Sequence, residues 1–422
     1  MRESVFLLGL DDTDAPDGMC TTWLGAKLIR VFTDLGMNVI EAKLIRLNPT
    51  IKYKTRGNAA IALKIKGDPS LAFKITCDYV SRYARLSCDK TNPGVVVTEK
   101  IPPVSFYRKA VTGYCSIEEA ELILRHYALF WKGYKLKRGL VGATAAVSSH
   151  FSDYTWECLT YRSPDLKSTL REVEPVSLLL SEELTTPHTW DTWDHELNKP
   201  VCIPHTPDPV IFGIRGDSPF YIMRAVSAID SERYDLAQLW LTNQGTDAHI
   251  LEGKYSDLTE GRSYLVRGRV SDTPVTQEGG HVSFHLSLDG GMLFCMAFEP
   301  TKGFRDIIRM LCSGDEILAM GSYQKNTINL EKICVIHQNI SQLVKPPICH
   351  KCGKRMTSAG TGKGYKCRIC GGRSMESELV TKERLPLSGW YEVPPGSRRH
   401  LSRPLIRGPL PSDGSYLPIN EG

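Results

Sequence analysis

The first twenty-two residues constrain this chain most. Val5-Phe6-Leu7-Leu8-Gly9-Leu10 is an apolar run that passes straight into Asp11-Asp12-Thr13-Asp14. Gly18-Met19-Cys20-Thr21-Thr22 follows, and then Leu24, Leu28, Phe32 and Leu35 recur at helical spacing. This order predicts a buried strand, a loop with three carboxylates, and a helix that opens on two hydroxyl residues. Carboxylates packed so tightly repel one another unless a cation lies among them. Such oxygen ligands suit Mg²⁺ carrying a nucleotide. A solvated acidic loop is the plainer reading. Its place at the carboxyl end of a buried strand, where open α/β sheets hold ligands, argues against that. Thr21 and Thr22 alone would read as helix caps. Beside three acids, at a helix N-terminus that attracts phosphate, a hydroxyl that touches or receives a phosphoryl group becomes a credible reading.

At 422 residues the chain is expected to hold several domains. Its 41% hydrophobic and 23% charged content is that of a soluble globular protein. It has no apolar run long enough for a membrane span, and the N-terminal run is too short for a signal peptide. Of 13 cysteines, four have metal-site spacing and the rest are scattered in apolar contexts, which suits a reducing cytoplasm. From Lys345 onward there are 14 Lys and Arg against 6 Asp and Glu, so within a chain of net +5 the preceding residues carry about −3. A basic end on a near-neutral body points to a polyanionic partner.

Residues 1–165 read as one α/β unit. Its second loop, Arg46 to Asn58, precedes the apolar Ala59–Leu63, and Lys43 to Lys66 holds seven cations and no acid. Lys54, Thr55, Arg56, Gly57 and Asn58 are the candidates there for contacting ATP phosphates or an RNA backbone, although a solvated basic loop fits as well. Lys90 lies in a third loop before Val95-Val96-Val97. Arg138 and Gly139 lie in a fourth, Lys135 to Gly142, whose glycines would let backbone approach a ligand.

Residues 166–257 read as a polar linker followed by a small α+β domain. Strand-like stretches at 200–213 and 237–242 flank a helix-like 217–229. The loops at Gly213–Asp217 and Asn243–His249 have a cleft-like composition that ordinary turns share. Residues 258–343 read as three strands, a helix and two strands, the order of an OB-fold barrel. Tyr264, Arg267, Arg269, Phe284, His285 and Lys325 are candidate nucleic-acid contacts, about half of them expected in the core or at the edge. Residues 344–422 hold Cys349-x-x-Cys352 and Cys367-x-x-Cys370, whose four thiolates suit one structural Zn²⁺ in a zinc ribbon. Gly360-Thr361-Gly362-Lys363 between them resembles part of a P-loop but lacks its Ser/Thr and its strand–helix setting. Trp390, Arg398, Arg399 and His400 mix aromatic and basic groups suited to RNA, and the last 15 residues are expected to be mobile.

Together these segments resemble the archaeal tRNA(Ile) 2-agmatinylcytidine synthetases (agmatidine synthetases, TiaS) over about residues 1–407. The match runs through Asp11–Asp14 with Gly18–Thr22, Arg46–Asn58, Lys90–Gly94, Gly139–Ala143, Gly213–Gly216, Phe298–Lys302, the four cysteines and Arg398–Ser402. The resemblance implies a multidomain α+β chain: an N-terminal α/β atypical kinase domain, a ferredoxin-like α+β domain, an OB-fold β-barrel and a zinc ribbon. It implies an ATP-dependent ligase that attaches agmatine to the 2-carbon of the wobble cytidine in the CAU anticodon of isoleucine tRNA. A threonine at the position of Thr21 would be autophosphorylated. Phosphorylating the cytidine carbonyl oxygen would make it a leaving group for the amine. Asp11, Asp12, Asp14 and Thr21 become the catalytic set, and Thr22 joins the phosphate contacts. Agmatine is a dication, so its pocket should supply acids. Asp217 and Asp247 are candidates by chemistry, in loops with Arg215 and Gly216. The barrel, ribbon and basic C-terminal segment are expected to grip the tRNA. A non-enzymatic OB and zinc-ribbon binder, and a phosphohydrolase or small-molecule kinase with an RNA-binding appendage, remain the alternatives. A pure binder has no use for the carboxylate cluster.

Overall fold

The structure, a computed structural model, describes residues 3–55, 57–166, 169–340, 342–381, 384–411 and 416. Arg56 and most of the tail expected to be mobile lie outside the described residues. The N-terminal unit runs β1 (Ser4–Asp11), α1 (Thr21–Asp34), β2 (Asn38–Arg46), β3 (Ala59–Gly67), α2 (Pro69–Tyr83), β4 (Gly94–Thr98), α3 (Val104–Thr112), α4 (Ile117–Tyr127), β5 (Phe130–Gly133) and α5 (Gly139–Val147). β1 lies between β3 and β4, antiparallel to both, with Leu8 opposite Leu63 and Val97. The acids do end a buried strand, as expected, but that strand pairs antiparallel on both sides. Its apolar residues are covered by α1 and α2, through Leu24, Leu28, Phe32 and Val80, and by α5, through Ala143 and Val147.

Local chemistry sets these helices. Asp68 caps α2 by accepting from the Ser70 and Leu71 amides, with Pro69 at the first helical position. Ser116 and Glu119 form a reciprocal capping box on α4. α5 departs from the sequence reading, which made Lys135–Gly142 a loop. Its sequence GLVGATAAV is small and apolar all round and nearly every residue is buried, so no amphipathic stripe betrays it. Small residues let it lie directly on the sheet. A Cβ on Gly94 would sit 2.2 Å from the Gly139 carbonyl carbon, and one on Gly142 would sit 1.8 Å from Asp11 Oδ2.

The second unit runs β6 (Thr155–Tyr161), α6 (Pro175–Thr185), β7 (Thr189–Trp190), a short hairpin of β8 (Trp193–Asp194) and β9 (Lys199–Pro200), β10 (Val210–Gly216), α7 (Pro219–Ala228) and β11 (Leu236–Thr242). It continues the same sheet, in the order β5-β4-β1-β3-β2-β11-β6-β10-β7, joined where β11 runs parallel to β2. Two boundaries move accordingly. β6, placed by sequence in residues 1–165, pairs with β10 and β11. The segment read as a linker contains α6, packed against α7 through the buried Leu178 and Ile222.

After β12 (Ile250–Glu252) comes a closed barrel of β13 (Arg262–Val270), β15 (Val282–Leu288), β16 (Gly291–Ala297), β17 (Glu316–Gln324) and β18 (Thr327–His337), with β14 (Val275–Thr276) at its edge and α8 (Gly303–Arg309) between β16 and β17. The β13–β15 pairing closes the ring. This is the expected strand–helix order. Tyr264 and Phe284 are core residues, and Arg267, Arg269 and His285 are exposed.

β19 (Gln342–Lys345) pairs with β23 (Glu378–Thr381) and forms the base of a small excursion. It contains the short β20 (Thr357–Ser358), β21 (Tyr365–Lys366) and β22 (Arg373–Ser374). The glycine-rich Gly360–Gly364 is the turn between β20 and β21, with positive φ at Gly360, Gly362 and Gly364. The chain then returns to the body. β24 (Gly389–Glu392) adds to β18, so the basic C-terminal segment does not belong with the ribbon as the sequence reading placed it.

Candidate active site

β1 delivers its C-terminal acids to a cavity of about 310 Å³ whose lining includes Asp11, Asp12, Asp14, Thr21, Tyr53, Lys54, Thr55, Asn58 and Arg138. Asp12 has a left-handed backbone (φ 58°), which turns the chain sharply between acids. Its Oδ2 accepts from the Asn92 amide at 3.1 Å. Asp14 Oδ1 accepts from the Thr21 amide at 2.6 Å and from the Thr21 hydroxyl at 3.0 Å, and Thr13 donates to the same hydroxyl at 3.0 Å. Asp14 therefore performs the cap that Cys20, at the N-cap position, does not. The Thr91 hydroxyl holds the Asp14 carbonyl at 2.7 Å.

Asp11 and Asp12 are electrostatically strained. Burial, Asp12 and Asp14 push the Asp11 carboxyl well above the ordinary carboxylate range. Burial and Asp14 push Asp12 up to about 7, against the Asn92 amide and Arg138. Neither has an ion-pair partner among the described residues. Such a donor set is poised for a divalent cation. Arg138 lies 4.5 Å from the Tyr53 ring centre. Sequence reasoning missed the apolar end, formed by Leu47, Ile51, Tyr114, Cys115, Ile117 and Val141. Ser116-x-x-Glu119, a capping-box spacing, was the readable signal for the helix that carries Ile117.

The other candidates separate. Thr22 is buried, with its hydroxyl 3.0 Å from Cys20 Sγ, and does not line the cavity. Lys90 is exposed and offers its carbonyl to Thr55 at 3.5 Å. Gly139 is a packing residue, since a Cβ there would lie 2.3 Å from the Gly94 nitrogen. Gly57 lines a neighbouring basic cavity with Arg399 and His400.

The four residues expected around agmatine do not converge. Asp217 is at the surface, 3.1 Å from His188. Gly216 is closed in by the His188 carbonyl. Arg215 pairs with Glu157 at 3.1 Å and Asp191 at 3.4 Å, and a guanidinium has the wrong sign for a dication. Asp247 is fully buried. It receives Lys332 Nζ at 2.8 Å and 3.0 Å and the Arg403 amide at 2.7 Å, which leaves no face for a ligand.

Among the RNA candidates, Arg267 is exposed beside Glu316 and Arg269 is exposed on the same strand. Trp390 donates to the Pro411 carbonyl at 2.7 Å. Arg398 is enclosed by Asp191 and Glu392, a correction to its expected RNA contact. Arg399 pairs with Glu331 at 3.1 Å.

Cys349, Cys352, Cys367 and Cys370 bring their sulfurs within 4.8 Å of one another. Four thiols so placed fit tetrahedral zinc with no open position, which makes the metal structural.

Oxygen ligands for a cation, a presented hydroxyl and an apolar bed in one cavity are what an enzyme acting with a nucleotide requires. Family models agree: the TiaS TCKD domain matches residues 7–69, the TiaS FLD domain 137–249 and the TiaS C-terminal zinc ribbon domain 346–385. The isoleucine-tRNA 2-agmatinylcytidine synthetase TiaS of Methanocorpusculum labreanum is 47% identical over 405 residues, covering 96% of this chain and 97% of that one. A crystal structure of TiaS in complex with isoleucine tRNA and ATP is 38% identical with a TM-score of 0.90, covering 97% and 98%. One of TiaS with isoleucine tRNA, AMPCPP and agmatine is 36% identical with a TM-score of 0.87, covering 97% and 98%. This chain belongs to the TiaS family.

Metal analysis should find about one zinc per chain. Replacing any of the four cysteines by serine should release it and unfold the ribbon locally. A metal-free protein with an intact ribbon would contradict the assignment.

Proposed function

We propose that this protein is an ATP-dependent ligase that attaches agmatine to the 2-carbon of the wobble cytidine in the CAU anticodon of isoleucine tRNA, which allows AUA to be read. The observation that carries this reading is the cavity that joins three carboxylates to the Thr21 hydroxyl, in a chain so similar to an isoleucine-tRNA 2-agmatinylcytidine synthetase. The N-terminal unit acts as an atypical kinase domain, the second unit as a ferredoxin-like domain and the barrel as an OB fold for RNA.

The cavity divides the labour. Asp11 and Asp12, whose charge no ion pair among the described residues offsets, hold Mg²⁺, which neutralises phosphate charge when bound. Lys54, Arg138, Thr55 and Asn58, which line the same cavity, contact the phosphates, and the apolar end accepts the base. Asp14 binds both the amide and the hydroxyl of Thr21. It orients the oxygen toward an incoming phosphoryl group and is placed to take its proton. In the same cavity ATP donates a phosphoryl group to the cytidine carbonyl oxygen; the agmatine amine then attacks the 2-carbon and loses a proton, and the C–O bond breaks so that the oxygen leaves with the phosphoryl group as inorganic phosphate. Asp217 remains the candidate acid for agmatine, since its carboxylate is accessible. No helix among the described residues is long and apolar enough to cross a membrane.

Incubation with ATP followed by peptide mass spectrometry should place a phosphate on Thr21. The absence of phosphate at both Thr21 and Thr22 would remove the autophosphorylation step from this account.

A further inference from the structure

Two sets of residues that the sequence assigns to different ligands meet in one cavity. Lys54 and Gly57 belong by sequence with ATP, Arg399 and His400 with tRNA. All four, with Arg46, line a cavity of about 180 Å³ beside the carboxylate cavity, sharing Leu47 and Lys54 with it.

Among the described residues, no side chain on its wall is free to accept a hydrogen bond. Arg46 spends Nε on Gln244 at 2.9 Å and Nη2 on Glu157 at 3.1 Å, and its Nη1 turns to Gly57. Arg399 places Nε against Glu331 at 3.1 Å and Nη2 on Ser322 at 2.8 Å. Lys54 donates to the Pro49 carbonyl and has no carboxylate partner among the described residues. His400 Nδ1 lies 3.0 Å from Arg215 Nη2. A guanidinium only donates, so this nitrogen accepts, and the ring proton is on Nε2. Arg46, burial, Arg215 and Lys54 all hold this ring neutral. Nε2 faces Gly57, where a Cβ would lie 3.0 Å from it and 2.7 Å from Arg46 Nη1. The cavity thus offers donors and excess positive charge around a position with no side chain of its own.

We propose that this cavity seats a phosphodiester of the RNA strand next to the reacting nucleotide. Donors in this arrangement match phosphate oxygens. ATP phosphates share that chemistry. Among the described residues no carboxylate lines this cavity to hold the cation that accompanies a nucleotide, and one wall comes from the C-terminal segment, so the RNA backbone is the better occupant. The proposal rests on the RNA-modifying reading of the adjoining site.

Anticodon stem-loop RNAs, each with one uncharged methylphosphonate near the wobble cytidine, test it with the full chain. One position should weaken binding to the wild-type protein about tenfold. Arg399→Gln should weaken the unmodified RNA, make its salt dependence shallower by about one unit, and largely cancel the effect of that methylphosphonate. The modified RNAs leave the protein untouched, so misfolding of the variant cannot mimic the first result. Equal binding of every methylphosphonate RNA would overturn the proposal. Lower ATP affinity in Arg399→Gln with no methylphosphonate effect would assign the cavity to nucleotide phosphates and overturn the RNA assignment. Thr21 phosphorylation by the wild-type protein without RNA reports on the kinase reading separately.

Discussion

Asp12→Asn should lose ATP-dependent tRNA modification by at least about a thousandfold, yet be more stable than the wild type in metal-free buffer at pH 8. The two effects share one cause. Held at about 7 in the fold against 3.8 as its ordinary value, the Asp12 carboxyl favours the folded state while protonated. As pH rises from about 4 through 7 the folded protein must ionise it beside Asp11 and Asp14, and stability falls. Asparagine removes that penalty, which is on the order of 4 kcal/mol. Thermal unfolding across pH checks the sign. The wild-type curve should drop between pH 4 and 8 relative to the variant, and added Mg²⁺ should raise the wild type more. Equal curves at all pH values would mean that the acids are not strained as described.

Removing everything after Lys345 should abolish folding, whereas replacing only Pro346–Ser377 with a short glycine-serine turn should leave a folded body with weaker tRNA binding. The deletion is clean because Lys345 and Glu378 are paired neighbours across β19 and β23. The longer truncation strips β24 from the barrel, removes the buried Leu387, Val393 and Leu401 from the core, and takes away Arg398 and Arg399. Asp191 and Glu331, each about 5% exposed, would keep only Arg215 and His249 as ion-pair partners among the described residues. Losing a guanidinium from a buried ion pair, a barrel strand and three core side chains together approaches the whole stability of a domain. Circular dichroism and gel filtration of the two deletions separate these outcomes. A folded, monodisperse truncation at Lys345 would show that the returning segment is dispensable. The basic end of the chain is thus two things. The cysteine ribbon is an appendage, and residues 389–407 tie the barrel to the N-terminal sheet.

What could be read from the chain depended on the range of the interaction. β1 and α1 were legible because a strand's apolar run and a helix's spacing are local patterns, and the barrel strands were legible for the same reason. α5 was not, because a helix buried on every side loses its polar stripe. α6 was hidden by a polar stretch with Pro187 and two tryptophans that resembles a linker, although Pro175 stands at a favourable first helical position. The acidic end of the cavity was visible in four consecutive residues. Its apolar end joins Leu47 and Ile51 to Tyr114 and Ile117, and no local pattern links those segments. Asp247 was misread as a ligand for agmatine because its partner, Lys332, lies 85 positions away. An acid in a glycine-containing loop looks the same whether it faces a cleft or a buried ammonium.

The most direct test of the account is nucleoside mass spectrometry on isoleucine tRNA with a CAU anticodon after incubation with the protein, ATP and isotopically labelled agmatine. The account predicts one label per tRNA, on the wobble cytidine, with ATP consumed and no label when ATP is withheld or a different anticodon is supplied. Label-free tRNA from complete reactions with folded, zinc-loaded protein would contradict it.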